Sequence, residues 1–355
     1  MSEVAWLYLL AYAIAALIVA SFLYARWNRG VRGEIHVQST LSPSGSPRDD
    51  LPEQVLRPAP TARAIFELDR IELKLGLVTE RGTRGPAQMA GIIGATPAST
   101  ASGVVPHAGW SERTIIGPLR RGPVLAAGWK LTTSDPLGLF SNRSSSTDRE
   151  LALVLPRFTS LNRRVQVREL EASVAAPRTG SGTELFGVRE YRPGDPLRRI
   201  HWRSSARHGE LIVREFEPPG IQMLGIVCDP APPSPEAADQ IARLAASEAW
   251  DCIRSGGRVV LWAPGVEPTH RSEERNIWAL LEWLARYPAV DEDATPSGPP
   301  LMRDAVAVIA TADARLVDAL ETVKAQGGSV RGWVVGDAQP EIDAPTQQVG
   351  LGWPV

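Results

Sequence analysis

The sequence has few cysteines and almost no net charge, and each scarcity excludes a class of protein. Its two cysteines, Cys228 and Cys252, provide neither a disulfide framework nor paired CxxC zinc motifs. Lys and Arg number 38 against 40 Asp and Glu, so there is no global attraction to nucleic acid or acidic lipid. A P-loop is also lacking, which argues against ATP hydrolysis by this chain. We therefore expect no cofactor, no nucleic-acid partner and two buried, unreactive thiols.

Long hydrophobic runs are scarce too, and the one that exists lies near the N-terminus. Val4 to Tyr24 holds 21 residues without a charge, which at about 1.5 Å per helical residue spans a bilayer core of about 30 Å. Glu3 precedes this run and Arg26 and Arg29 follow it, so the positive-inside rule places the large C-terminal part in the cytoplasm. The pattern predicts a single-pass protein of the cell membrane, with a cleaved signal peptide as the alternative.

The next part of the chain is predicted to be a tether followed by a β-domain. Residues 25–61 include a Ser- and Pro-rich stretch with little apolar content, which predicts an extended tether. Residues 62–160 contain short apolar runs cut by Gly and Pro turns, which predict a β-sandwich. A stretch of small residues at 82–106 predicts a long loop. The alternating apolar residues of the first strands are Phe66, Leu68, Ile71, Leu73 and Leu75.

The C-terminal part alternates apolar strands with amphipathic helices, which predicts a doubly wound, Rossmann-like α/β domain at 221–338. One helix presents Ile277, Leu280, Leu281 and Leu284 on a single face. Residues 339–355 are predicted to be a tail. The fold class is therefore mixed α/β and β, after an N-terminal transmembrane helix.

Residues 161–220 form a separate segment in which arginines, acids and aromatic residues are interleaved. Balanced opposite charges at this density pair with each other, so we expect a structural lattice of arginines and carboxylates. RPGDP at 192–196 predicts a turn. The runs 211–217 and 221–228 are predicted to be adjacent strands, which would attach the segment to the edge of the first α/β strand.

This segment resembles the signature of the domain of unknown function family 58. The resemblance rests on G-x-E-L-F-G-V-R-E-Y-x-x-G-D-x-x-R-x-I-x-W-x-x-S-A-R at 182–207 and L-x-V-R-E-F at 211–216, with RRGPV at 120–124 and SDPLGLF at 134–140 in support. The signature residues are Gly182, Glu184, Phe186, Gly187, Arg189, Glu190, Tyr191, Gly194, Asp195, Arg198, Ile200, His201, Trp202, Ser205, Ala206, Arg207, Leu211, Arg214 and Glu215.

The resemblance implies a fold and a partner class, but no reaction. It implies that the C-terminal domain is similar to von Willebrand factor A domains and that the protein works with a MoxR-type AAA+ ATPase. Such domains bind Mg²⁺ through D-x-S-x-S, because a hard cation needs carboxylate and hydroxyl oxygens. Here Asp229 is followed by Ala231 and Pro233 at the serine positions, and Ser234 is out of register. We expect a degenerate metal position, with Asp229 stabilising its loop, although Asp313 could stand near a distal ligand.

Two functions from different classes remain. The favoured one is a membrane-anchored cytoplasmic adaptor, or a passive scaffold, that binds the ATPase and other envelope-associated proteins. The alternative is an unrecognised hydrolase or transferase that uses Asp195 and His201 with the neighbouring Ser204 and Ser205. A GxSxG elbow is lacking, and Cys228 has no basic neighbour that would make it a nucleophile, so no catalytic residue is assigned.

Overall fold

The computed structural model describes most of the chain outside the signature segment. The described residues are 2–43, 64–161, 185–190, 205, 212–216, 223–264, 266–271, 277–288, 302, 304–311, 313–337 and 342–352. They divide into two compact units, which we call the β unit (residues 1–157 and 281–289) and the α/β unit (residues 158–280 and 290–355).

The N-terminal apolar run forms one helix, α1 (Ser2–Trp27), that is long and apolar enough to cross a membrane. A 3-10 turn, Asn28–Gly30, leads directly into strand β1 (Val31–Leu41). The predicted tether is therefore wrong over its first part. The run VRGEIHVQSTL has the alternation of a strand, but its charged residues are also typical of a linker.

Among the described residues, the β unit contains two mainly antiparallel sheets built from nine strands. Its further strands are β2 (Ile65–Phe66), β3 (Arg70–Thr79), β4 (Ala87–Ile93), β5 (Thr96–Ser102), β6 (Trp110–Ile116), β7 (Gly122–Ser134), β8 (Ser141–Ser145) and β9 (Arg149–Leu155). One sheet has the order β1-β3-β6, and the other has the order β2-β9-β7-β4-β5 with β8 paired to β7; the short β2 pairs with β9 in parallel. The predicted long loop at 82–106 is wrong, because β4 and β5 form a hairpin there.

Both sheets of the β unit contribute to one hydrophobic core. Ile71, Leu73 and Leu75 of β3 are buried in it, as their alternation predicted, together with Met89 and Trp129 from the other sheet. This shared core accounts for the sandwich-like pairing of the two sheets. Leu68 is an exception to the predicted pattern: it is 45% exposed and has a positive φ of 68°, because it occupies the turn between β2 and β3.

The α/β unit is organised around a six-stranded sheet. From residue 185 onward the elements in chain order are β10 (Leu185–Glu190), β11 (Ile212–Phe216), β12 (Met223–Cys228), α2 (Pro235–Arg254), β13 (Arg258–Ala263), β14 (Val266–Arg271), α3 (Ile277–Arg286), β15 (Asp304–Ile309), α4 (Ala314–Ala325), β16 (Val330–Val335) and β17 (Thr346–Val349). Residues 281–286 of α3 belong to the β unit, and the other elements belong to the α/β unit. The sheet order is β14-β13-β12-β15-β16-β17, and every pairing is parallel except that of the edge strand β14.

The predicted helical face of α3 is confirmed, since Ile277, Leu280, Leu281 and Leu284 are all buried. Two other expectations are wrong. The predicted tail contains β17, which pairs with β16 as the sixth strand of the sheet. The run 211–217 does not attach the signature segment to the first α/β strand: β11 pairs with β10 in a separate two-stranded sheet, whereas β12 pairs with β13 and β15.

Candidate functional site

The strand order of the α/β sheet defines a crevice where its connections diverge. Counted from β12, the order of the sheet is 3-2-1-4-5-6, and it reverses between β12 and β15. In open parallel sheets, ligands bind at the carboxyl ends of the strands at this reversal, because the two connections leave in opposite directions and open a space. The loops that begin at 229 and 310 follow these two strands. They form the candidate functional site.

Asp229 joins the two loops through its carboxylate. The side chain is fully buried, and its Oδ2 accepts hydrogen bonds from Ala310 N at 2.9 Å, Thr311 N at 2.5 Å and Thr311 Oγ1 at 2.7 Å. Its Oδ1 accepts from Ala231 N at 3.0 Å in its own loop. We call this arrangement the Asp229 clasp. It confirms that Asp229 stabilises its loop, and it adds a bond across the sheet that the sequence pattern did not indicate.

The other oxygen ligands considered from the sequence are engaged as helix caps. Ser234 Oγ accepts from Ala237 N at 3.1 Å at the start of α2, where Pro235 occupies the first helical position. Asp313 Oδ1 accepts from Arg315 N at 2.9 Å at the start of α4. Burial acts to raise the pKa of Asp313, but the bonds and charge of Arg315 outweigh it and leave the pKa lowered.

The polar groups at this edge of the sheet therefore bind other parts of the same chain. Each carboxylate or hydroxyl oxygen at the reversal holds a loop or a helix start, and the serine positions of the metal motif carry no side-chain oxygen. Within the ranges that the structure describes, no group of three His, Cys, Asp or Glu side chains is placed to hold a metal ion.

A second buried polar group lies on α2, and the sequence analysis did not identify it. Glu248 is 5% exposed and accepts from both terminal nitrogens of Arg331 at 2.6 Å and from Trp333 Nε1 at 2.7 Å. Arg331 and Trp333 are two residues apart in β16 and therefore share a face of the strand. The sequence did show an acid among the small apolar residues of α2. Helical periodicity alone, however, does not indicate which residue would pair with it.

Cys252 lies one helical turn after Glu248, and its surroundings determine its reactivity. Burial raises the pKa of its thiol to about 11, the Glu248 charge adds to the rise, and Arg331 opposes it. Because the thiolate is the reactive form, the raised pKa lowers the reactivity of this thiol near neutral pH. Cys228 is fully buried at the end of β12. Cys228 is thus buried as expected, whereas Cys252 is only half-buried.

Most of the signature falls outside the residues that the structure describes. Phe186, Gly187, Arg189 and Glu190 belong to β10, and Arg214 and Glu215 belong to β11. Ser205 is buried, with 8% exposure. The remaining signature residues, including Asp195 and His201 of the enzymatic alternative, lie outside the described residues, as do most of the expected arginine–carboxylate pairs and Ser204.

Comparison with known proteins identifies a domain of unknown function in the C-terminal half. Residues 187–310 match the family described as "Protein of unknown function DUF58". The chain is also similar to "Uncharacterized protein YeaD" of Bacillus subtilis (strain 168), with 25% identity over 156 residues. This alignment covers 43% of the chain and 37% of that relative. The matched range begins within β10 and includes β11 and Asp229, whereas Thr311, which donates to Asp229, lies one residue beyond it.

Proposed function

We propose that this protein is a membrane-anchored adaptor or scaffold that binds other proteins and works with a MoxR-type AAA+ ATPase. The observation that carries the proposal is the construction of α1. Its apolar length is sufficient to cross a membrane, while Ala25 and Asn28 at its end are buried against the β unit. Three arginines follow the apolar run, at 26, 29 and 32. Under the positive-inside rule they favour a cytoplasmic location for both units.

We further propose that the α/β unit is similar to von Willebrand factor A domains. The strand order 3-2-1-4-5-6 and the antiparallel edge strand β14 support this, and so does the carboxylate of Asp229 at the end of the first strand. The function of such a domain here would be protein binding. The Asp229 clasp favours direct contact between surfaces, because the oxygens at the reversal are already occupied by bonds within the chain.

The test is capture of a MoxR-type ATPase from the same organism by the full-length chain in detergent micelles. The full chain is required. A soluble fragment without the helix and the predicted tether, beginning for example at residue 58, would also lack β1, which pairs with β3 along ten residue positions. Capture is measured with ATP and Mg²⁺, with ADP, and without nucleotide. Capture that depends on the nucleotide supports the proposal. Failure of a folded chain to capture the ATPase in all three conditions contradicts the ATPase partnership.

A pair of variants tests whether the carboxyl edge of the α/β sheet is the docking face. Arg315 lies at the start of α4 beside this edge, with its side chain 59% exposed. Arg315→Glu is expected to weaken capture, because it reverses a charge on the proposed face. Glu321→Arg reverses a charge about two turns further along the same helix and is expected to leave capture unchanged. Equal effects of the two substitutions would contradict this choice of face.

A further inference from the structure

The connection between β7 and β8 is a tight turn whose shape is fixed by Asp135. The Asp135 carboxylate accepts from Leu137 N at 2.9 Å and from Phe140 N at 2.7 Å, and Gly138 N donates to Asp135 O at 3.0 Å. Pro136 follows the acid, and Gly138 has a φ of 71°, which suits a glycine at the end of such a turn. We call residues 135–140 the β7–β8 turn.

The β7–β8 turn is held against the last part of the apolar helix. The Phe140 and Phe22 rings meet edge to face, with centroids 5.6 Å apart. The Ser21 hydroxyl is one of the groups that lower the pKa of the Asp135 carboxyl. Burial acts to raise the pKa of Asp135, but the bonds from Phe140, Leu137 and Ser21 outweigh it and leave the pKa below its ordinary value.

The contact with α1 fixes the depth of the turn along the helix. Ser21 and Phe22 precede Tyr24 and Trp27, the aromatic residues that mark the end of the apolar run. A turn that contacts the helix at Ser21 and Phe22 therefore lies on the membrane side of these aromatic residues. If α1 spans a bilayer, the turn must lie within the same bilayer boundary.

The tip of the turn has the side chains of a membrane contact. Leu137 is 56% exposed and Leu139 is 52% exposed, although the backbone around them is rigidly bonded. Two neighbouring exposed leucines on an ordered turn are unusual for a surface in contact with water. They are well suited to the boundary between lipid headgroups and acyl chains.

Two basic side chains lie on the strands that lead away from the turn. Lys130 and Arg143 line a groove of about 470 Å³ on β4, β7 and β8, together with Gln88 and Thr132. In the sheet, Arg143 lies opposite Thr132, and Lys130, two residues before Thr132 on the same face, lies opposite Ser145. Arg143 is two residues beyond the start of β8, about 7 Å along the strand. This distance is comparable to the thickness of the headgroup layer.

We propose that the β7–β8 turn inserts Leu137 and Leu139 into an anionic phospholipid bilayer, with Arg143 facing the headgroup phosphates and Lys130 further from the bilayer on the same face of the sheet. The inference rests on the proposed membrane anchor and gives it a second point of contact. The charge pattern complements the lipid: the apolar tip enters the acyl boundary, and the cation of Arg143 lies at the level of the phosphates.

The experiment uses the full-length chain in vesicles of phosphatidylcholine and phosphatidylglycerol. An environment-sensitive fluorophore is attached to Leu139→Cys in a Cys252→Ser background, where the fully buried Cys228 does not react. Quenching is measured with lipids that carry a nitroxide near the headgroup. Thr96→Cys, at the start of β5 and paired with Ile93 at the end of β4, is the matched control. Ile14→Cys, in the middle of α1, reports the anchor itself.

The three probes separate failure of the inference from failure of the proposed function. We expect the probe at 139 to lose emission to the shallow nitroxide, the probe at 96 to keep its emission, and the probe at 14 to be quenched by a nitroxide deep in the acyl chain. Quenching at 14 but not at 139 overturns the inference and leaves the anchor intact. Absence of quenching at 14 overturns the anchor.

Discussion

Replacing Asp229 with asparagine isolates the energetic contribution of the Asp229 clasp. The carboxylate is fully buried and accepts four hydrogen bonds, three of them across the sheet at Oδ2. An amide of the same shape keeps one oxygen as an acceptor but turns an NH₂ group towards a backbone N–H. Two donors then face each other, and the remaining bonds lose their charge assistance. Asp229→Ala would also create a cavity, so asparagine is the cleaner substitution.

The magnitude follows from the bond types. Hydrogen bonds to a charged group contribute about 1.5–3 kcal/mol each, against about 1 kcal/mol for neutral pairs, and a buried unsatisfied donor costs about 1–3 kcal/mol. Part of this loss is regained, because a neutral amide is easier to bury than a carboxylate. We expect a net destabilisation of about 2–4 kcal/mol, which is a factor of about 30 or more in an opening equilibrium.

Cys228 reports this opening directly, because it precedes Asp229 and is fully buried. In the full-length Cys252→Ser chain in detergent micelles, the rate at which a thiol reagent modifies Cys228 measures local opening at the end of β12. We expect Asp229→Asn to increase this rate by about 30-fold or more, as the free energies above require. Thr311→Val removes a single hydroxyl donor and is expected to produce a smaller increase, which preserves the test if the first variant does not fold.

Asp313→Asn is the matched control for this experiment. Asparagine caps a helix as well as aspartate does, and the ion pair that is lost involves an Arg315 side chain that is 59% exposed, so it contributes little. We expect little change in the Cys228 rate. If Asp229→Asn increased the rate no more than Asp313→Asn, the Asp229 clasp would not be what closes this edge of the sheet.

Three further predictions concern the anchor, the second polar group and the membrane orientation. Asn28→Asp is expected to destabilise the start of the β unit by about 2–4 kcal/mol, because the buried amide donates to two carbonyl oxygens at 3.0 and 2.9 Å. The destabilisation would be measured as faster trypsin cleavage at the neighbouring arginines, and an unchanged cleavage rate would contradict the prediction. Glu248→Gln is expected to lower the pKa of Cys252 from about 11, since a negative charge near the thiol is removed. The pH midpoint of the Cys252 alkylation rate measures this pKa, and the control Glu321→Gln, at an exposed position, is expected to leave the midpoint unchanged. Equal midpoints in both variants would contradict the role assigned to the Glu248 charge. Protease added outside intact spheroplasts is expected to spare both units, and their digestion would reverse the proposed orientation.

Patterns with a single physical cause were predictable from the sequence. The length of the apolar run predicted α1, and periodicity predicted the buried face of α3 and the alternating core of β3. The elements that were missed had misleading composition. Strand β1 interleaves its apolar residues with three charged or titratable ones, Arg32, Glu34 and His36, and β5 is made of small residues, so the composition of neither indicated a buried strand. Both are identified by their pairing with β3 and β4, which is a long-range property.

The candidate site shows the same division. The loss of serine positions after Asp229 was visible in the sequence, because it concerns adjacent residues. The bonds of Asp229 to Thr311 and of Glu248 to Arg331 each join residues more than 80 positions apart. Local reasoning could name Asp229 and Asp313 as polar residues at strand ends. It could not say which backbone groups they would satisfy.

If α1 spans a membrane as proposed, its direct passage into β1 determines how the β unit is oriented at that membrane. The predicted tether, residues 25–61, would be a flexible linker of 37 residues with an end-to-end distance of about 30 Å, and an attached domain could rotate freely. Here the 3-10 turn that contains Asn28 joins α1 directly to β1 without a flexible connection. Rotation of the helix about its axis therefore turns the β unit with it. A partner that diffuses along the same membrane would therefore meet one constant side of the β unit. Mechanical force applied to that unit would reach the lipid bilayer through α1 without first extending a linker.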